Sequence, residues 1–155
     1  APDETAGSLH DKLANLGREV ILETLSGLTK RTIAPRTQDN HLATYAPKLK
    51  KKDGKINWEK SASELVRLVR GLDPWPGAYT QTNKGVLKIW KALAYDFKLP
   101  GNPGEILSVE TEKIYAATGE GALAIYELQL ESRRRMTVKE FLLGHEVAKG
   151  EQWGD

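Results

Sequence analysis

The sequence predicts a mixed, mainly β fold, a small barrel with short helices, preceded by an N-terminal helix and an extended linker. Three observations carry this. From Ala78 onward, short apolar runs alternate with tight glycine turns, as in a small antiparallel barrel. Two S/T-x-x-E capping boxes, Ser61 with Glu64 and Thr137 with Glu140, mark short helices on either side of those runs. Between Ser26 and Ile56 apolar periodicity fades, and Pro35 and Pro47 interrupt the chain.

The first helix is expected over about Ser8 to Leu25. Leu9, Leu13, Leu16 and Val20 recur on one face, and Ile21, Leu22 and Leu25 widen it into a stripe that needs a partner. A connector with turns at Asp39-Asn40 and Asp53-Gly54 follows. The next helix starts at the Ser61 cap, carries Leu65, Leu68 and Val69 at helical spacing, and is expected to stop at Gly71 in a left-handed cap. Asp73, Pro74, Trp75, Pro76 and Gly77 then make a stiff turn, with the indole expected to pack inward.

Strands are expected at Ala78 to Thr80 and, after a QTNKG turn, at Val86 to Tyr95. In the second, Leu87, Ile89, Leu93 and Tyr95 share one face and Lys88 and Trp90 the other. A loop around Pro100 to Gly104 leads to strands at Glu105 to Glu110, Lys113 to Thr118 and, past Gly119-Glu120-Gly121, Ala122 to Leu130. The Thr137 cap opens a last helix that uses Phe141 and Leu142 and stops at Gly144.

At 155 residues, 39% hydrophobic and 28% charged, the chain can build one compact domain and an appendage. It has no cysteine, which excludes disulfides and thiolate metal sites, and no apolar run long enough for a signal peptide or a membrane helix. The formal net charge of +2 is unevenly spread. Between Leu28 and Lys60, nine basic residues face only Asp39, Asp53 and Glu59, a local charge of about +6. His10, His41 and His145 lack metal-ligand spacing, and no nucleophile elbow, phosphate loop or dinucleotide fingerprint occurs.

Several motifs then fall in one order: DETAGSLHDKLANLG (Asp3 to Gly17), QDNHLATYAPKLKKKDGKINW (Gln38 to Trp58), SASELVRLVRGLDPWPGAYT (Ser61 to Thr80), PGEI (Pro103 to Ile106) and LQLESRRRMTVKEFLLGH (Leu128 to His145). In this order they resemble the C-terminal part of methionyl-tRNA formyltransferases along nearly the whole chain. The resemblance implies that residues 1–27 are the terminal helix of a catalytic domain, 28–55 a basic interdomain linker and 56–155 an OB-like barrel domain. That family's folate-binding and catalytic segment, with its Asn, His and Asp triad, would precede Asp3. The chain is therefore expected to be a detached C-terminal half with no catalytic, cofactor-binding or metal-binding residues of its own.

The resemblance further implies a parent enzyme that transfers a formyl group from 10-formyltetrahydrofolate to methionyl-initiator tRNA, in a bacterial cytoplasm or an organellar matrix. This half would bind the tRNA without catalysing. The expected partners are initiator methionyl-tRNA, the N-terminal catalytic domain and, through the apolar face of the first helix, a second copy; no membrane is expected. Lysine on a flexible stem suits phosphate contact without base discrimination, so the expected tRNA contacts are Lys48, Lys50, Lys51, Lys52, Lys55, Arg133, Arg134 and Arg135. Each cluster also reads as ordinary solvated surface, with the arginines paired to nearby carboxylates. Trp75, Trp90 and Trp153 could stack on bases, but Trp75 reads as structural and Trp90 equally well as core. Two alternatives stand beside this reading: the barrel of a sugar-nucleotide or formyltetrahydrofolate enzyme of related type, and a purely structural barrel.

Overall fold

The computed structural model describes residues 3–95 and 101–154. Pro100, at the start of the expected Pro100 to Gly104 loop, lies outside them. The chain divides into two compact units, Gly7–Leu49 and Lys50–Asp155, the latter taking in the first six residues.

In the smaller unit, helix α1 (Ala6–Thr29) starts two residues earlier and ends four residues later than its apolar stripe predicts, and no residue in it is buried. Leu9, Leu13, Leu16, Val20, Ile21 and Leu22 are all exposed. A 3-10 turn at Asn40–Leu42 follows the predicted Asp39-Asn40 signal, capped by the Asp39 side chain accepting from the His41 N–H at 2.9 Å.

The larger unit is mainly β. A 3-10 turn (Lys51–Gly54) leads to α2 (Ala62–Gly71), then β1 (Ala78–Thr82), β2 (Gly85–Tyr95), β3 (Ile106–Val109), β4 (Ile114–Ala117), β5 (Ala122–Leu130), β6 (Met136–Thr137) and α3 (Val138–Leu142). All strand pairs are antiparallel, in the order β1-β2-β5-β4-β3, with β6 also on β5. The C-terminal tail closes this sheet into a barrel-like shape. Its backbone bonds to the β3 edge through Ile106 N–H to Glu151 O and Trp153 N–H to Gly104 O, then reaches β1 through Gly154 N–H to Gln81 O at 2.9 Å. Both free edges are thereby covered.

Both capping boxes form: the Ser61 and Thr137 hydroxyls accept from the N–H groups of Glu64 and Glu140, whose carboxylates accept in return. The end of α2 differs from expectation. Gly71 is still helical, Leu72 is the cap at φ −109°, and the positive φ falls at Gly77 (+83°), whose N–H closes the turn onto Leu72 O. The strand alternation also differs. A bulge between Ile89 and Ala92 reverses the parity beyond it: Ile89 and Ala92 enter the core, Trp90 is buried on the Lys88 side, and Leu93 is left half exposed.

The core lies between α2, α3 and the inner sheet face, where Leu65, Val69, Ile89, Ile106, Leu123 and Phe141 are buried. Two indoles bridge to it: Trp58 Nε1 donates to Thr80 Oγ1 at 3.0 Å and Trp153 Nε1 to Glu151 at 2.9 Å. The other sheet face carries a smaller cluster around Leu107, Tyr115 and Ala124. There the Tyr95 and Tyr115 rings meet edge to face at 5.3 Å, with the Lys113 ammonium 5.1 Å from the Tyr115 centroid. Hydrogen bonding to Tyr115 raises the Lys113 pKa, while burial raises that of Tyr126.

Candidate nucleic-acid interface

Basic and aromatic side chains gather where five segments of the larger unit meet. The Lys51–Gly54 turn lies against the loop after α2, because Gly54 has no side chain to hold them apart: a Cβ there would sit 2.2 Å from Gly77 O. Together with β1, β2 and the end of β5, these segments wall a groove of about 470 Å³. Lys51, Trp75, Pro76, Tyr79, Lys88 and Ser132 line it.

Its floor is tied together by side-chain hydrogen bonds and ring contacts. The Lys88 Nζ donates to Pro76 O at 3.1 Å and lies 5.3 Å from the Trp90 ring centroid, while the Arg135 guanidinium lies 5.2 Å from the same ring. Trp90 Nε1 donates to Gln129 Oε1 at 3.0 Å, and Gln129 Nε2 donates to Arg133 O. Those bonds anchor the Glu131–Arg133 turn, in which Ser132 takes φ +61°.

The expected contact residues fall into distinct settings. Lys50, Lys51, Lys52 and Lys55 are exposed on and beside the 3-10 turn, held by the Lys50 N–H donating to Asp53 at 2.7 Å. Lys48 is exposed too, but belongs to the Gly7–Leu49 unit. The three arginines diverge. Arg134 pairs with Glu140 at 2.8 Å, and Arg135 with Glu127 at 2.7 Å and Asp73 at 3.2 Å. Arg133 is exposed and, among the described residues, has no carboxylate partner.

The tryptophans sort differently from expectation. Trp75 does not pack inward: it is 56% exposed, while Trp58, Trp90 and Trp153 are buried. The flanking prolines stiffen the backbone, but Gly77 and Trp90 occupy the space beneath the loop, and a Cβ at Gly77 would meet the Trp90 ring at 3.0 Å. Trp153, buried at the tail seam, offers no face for stacking. Lys88 and Trp75 are groove residues that sequence reasoning did not select; the Lys88 and Trp90 pairing on one strand face was the available signal. Among the described residues no group of three or more His, Asp or Glu could hold a metal ion, and no helix is long and apolar enough to cross a membrane.

Fold and site together define a small barrel-like domain with a basic, aromatic-lined groove. Residues 48–146 match the family described as "Formyl transferase, C-terminal domain", and the chain belongs to that family. It is similar to methionyl-tRNA formyltransferases of Geobacter metallireducens (44% identity over 99% of this chain) and Acetivibrio thermocellus (45% over 98%). The chain spans 49% of the length of each, about half of these curated relatives. Among solved structures it resembles HypX from Aquifex aeolicus, with TM-score 0.61 and 25% identity over 82% of this chain and 23% of that one. One HypX structure, also at TM-score 0.61 and 25% identity, is a complex with tetrahydrofolic acid and is matched over 81% of this chain and 22% of that one.

Proposed function

We propose that this chain is the tRNA-holding C-terminal part of a methionyl-tRNA formyltransferase. The observation that carries the reading is the exposed lysine turn, Lys50 to Lys52, set beside the Lys88 and Trp75 groove in a chain about 45% identical to enzymes of that name. The parent enzyme transfers the formyl group of 10-formyltetrahydrofolate to the amino group of methionine on initiator tRNA. This part does no chemistry. It binds tRNA phosphates and holds the aminoacyl end at a catalytic site built by the other half of the protein.

In this reading α1 is the last helix of the catalytic domain and the segment up to Lys55 is the basic connector. The apolar face of α1 supports both that assignment and, in the isolated chain, self-association. A cytoplasmic or organellar-matrix setting goes with the reaction.

Lys48, Lys50, Lys51, Lys52, Lys55 and Arg133 are the phosphate contacts. Arg134 and Arg135, already paired to carboxylates, serve first to hold the loop. Binding of the chain to initiator and elongator tRNA at several salt concentrations tests the reading. Affinity that falls steeply with salt supports it, and absence of binding at low salt contradicts it.

A further inference from the structure

We infer that the Trp75 groove takes one unpaired nucleobase of the bound RNA, stacked on the exposed indole, with Lys51 and Lys88 on the flanking phosphates. The inference rests on the RNA-binding reading and adds a non-helical feature to what is recognised.

Trp75 is the one tryptophan of the four that is not buried, and an exposed indole in a walled groove is an unusual use of a large apolar surface. The surrounding chemistry selects the occupant. Lys51 and Lys88 line the same groove as Trp75, so an aromatic residue and two lysines wall one space of about 470 Å³. Lys88 donates to Pro76 O and lies over the Trp90 ring, contacts that fix the direction of its ammonium and leave its charge to attract an anion in the groove. An apolar peptide side chain would use the indole but not two cations; a paired helix would use the cations but could not offer a base face. An extruded nucleotide uses both. Glu131, which also lines the groove, adds an acceptor for a base amino group and disfavours a phosphate beside it.

The test uses the whole chain with a short single-stranded oligoadenylate and a fully paired RNA duplex of equal length. The part of the indole quenching that is lost in Trp75→Phe reports on Trp75, because the buried indoles also emit and Trp90 lies beneath the groove. The expected result is quenching by the single strand well above that by the duplex. Trp75→Ala should weaken single-strand binding roughly 5-fold or more with the salt slope unchanged, Trp75→Phe should keep most of the affinity, and Lys51→Ala should lower the slope. Salt-dependent binding that ignores Trp75→Ala, or equal quenching by both probes, overturns the nucleobase site and leaves the phosphate reading standing. A Trp75→Ala defect seen only in assembly with the catalytic half assigns the indole to a protein contact, and also overturns it. Failure of the wild-type chain to bind either RNA at low salt overturns both.

Discussion

Gly54 and Gly77 meet backbone to backbone, so closely that a Cβ on Gly54 would stand 2.2 Å from the Gly77 carbonyl oxygen. This contact sets the lysine turn beside the Trp75 loop and so builds the groove. Gly54→Ala should push the two apart, costing about 1–3 kcal/mol in denaturant unfolding and weakening RNA binding beyond the loss of stability. Unchanged stability and affinity would show that the contact is dispensable.

The adjacent arginines should behave differently. Arg135 bridges Glu127 and Asp73 and sits over Trp90, so Arg135→Ala should lower stability by about 1–2 kcal/mol. Among the described residues the Arg133 side chain makes no such contacts, so Arg133→Ala should leave stability within about 0.5 kcal/mol and reduce the salt slope of RNA binding. Thermal unfolding and titrations at several salt concentrations separate the two.

Acid should loosen both short helices. Backbone hydrogen bonding at Ser61 and Thr137 holds the carboxyls of Glu64 and Glu140 below their ordinary value of 4.5. The unfolded chain then binds protons first, so this stabilisation is complete above about pH 4.5 and fades as pH falls through the lower folded-state values. Glu64→Gln with Glu140→Gln should flatten the stability profile in that acid range, measured by urea unfolding. An unaltered profile would mean that the caps contribute nothing titratable.

The unburied face of α1 should drive association of the isolated chain. Leu13→Glu with Leu16→Glu should yield monomers at concentrations where the wild type associates. A wild type that is strictly monomeric across a wide concentration range in light scattering contradicts this.

Much of the fold was legible because its signals are local. Ser61 with Glu64, Thr137 with Glu140, and the turns at Gly85 and Gly121 each decide their geometry within a few residues. What was not legible depended on distant partners. The prolines around Trp75 set its backbone but could not say that Gly77 and Trp90 fill the space underneath. The bulge after Ile89 inverted the expected face of Leu93, since period-two reasoning assumes an unbroken ladder. Trp153 gave no periodic hint of the seam between β1 and β3. The lysine run was visible as charge, but Arg135 looked as free as Arg133 until the fold brought Asp73, 62 positions away, against it.

Charge reversal of the lysine turn tests the central claim most directly. For the chain carrying Lys50→Glu, Lys51→Glu and Lys52→Glu, tRNA affinity should drop sharply and the slope of log affinity against log salt should shrink by about 0.7–0.9 for each phosphate that is no longer neutralised. Affinity and slope equal to those of the wild type would contradict the account and leave the lysines as solvated surface.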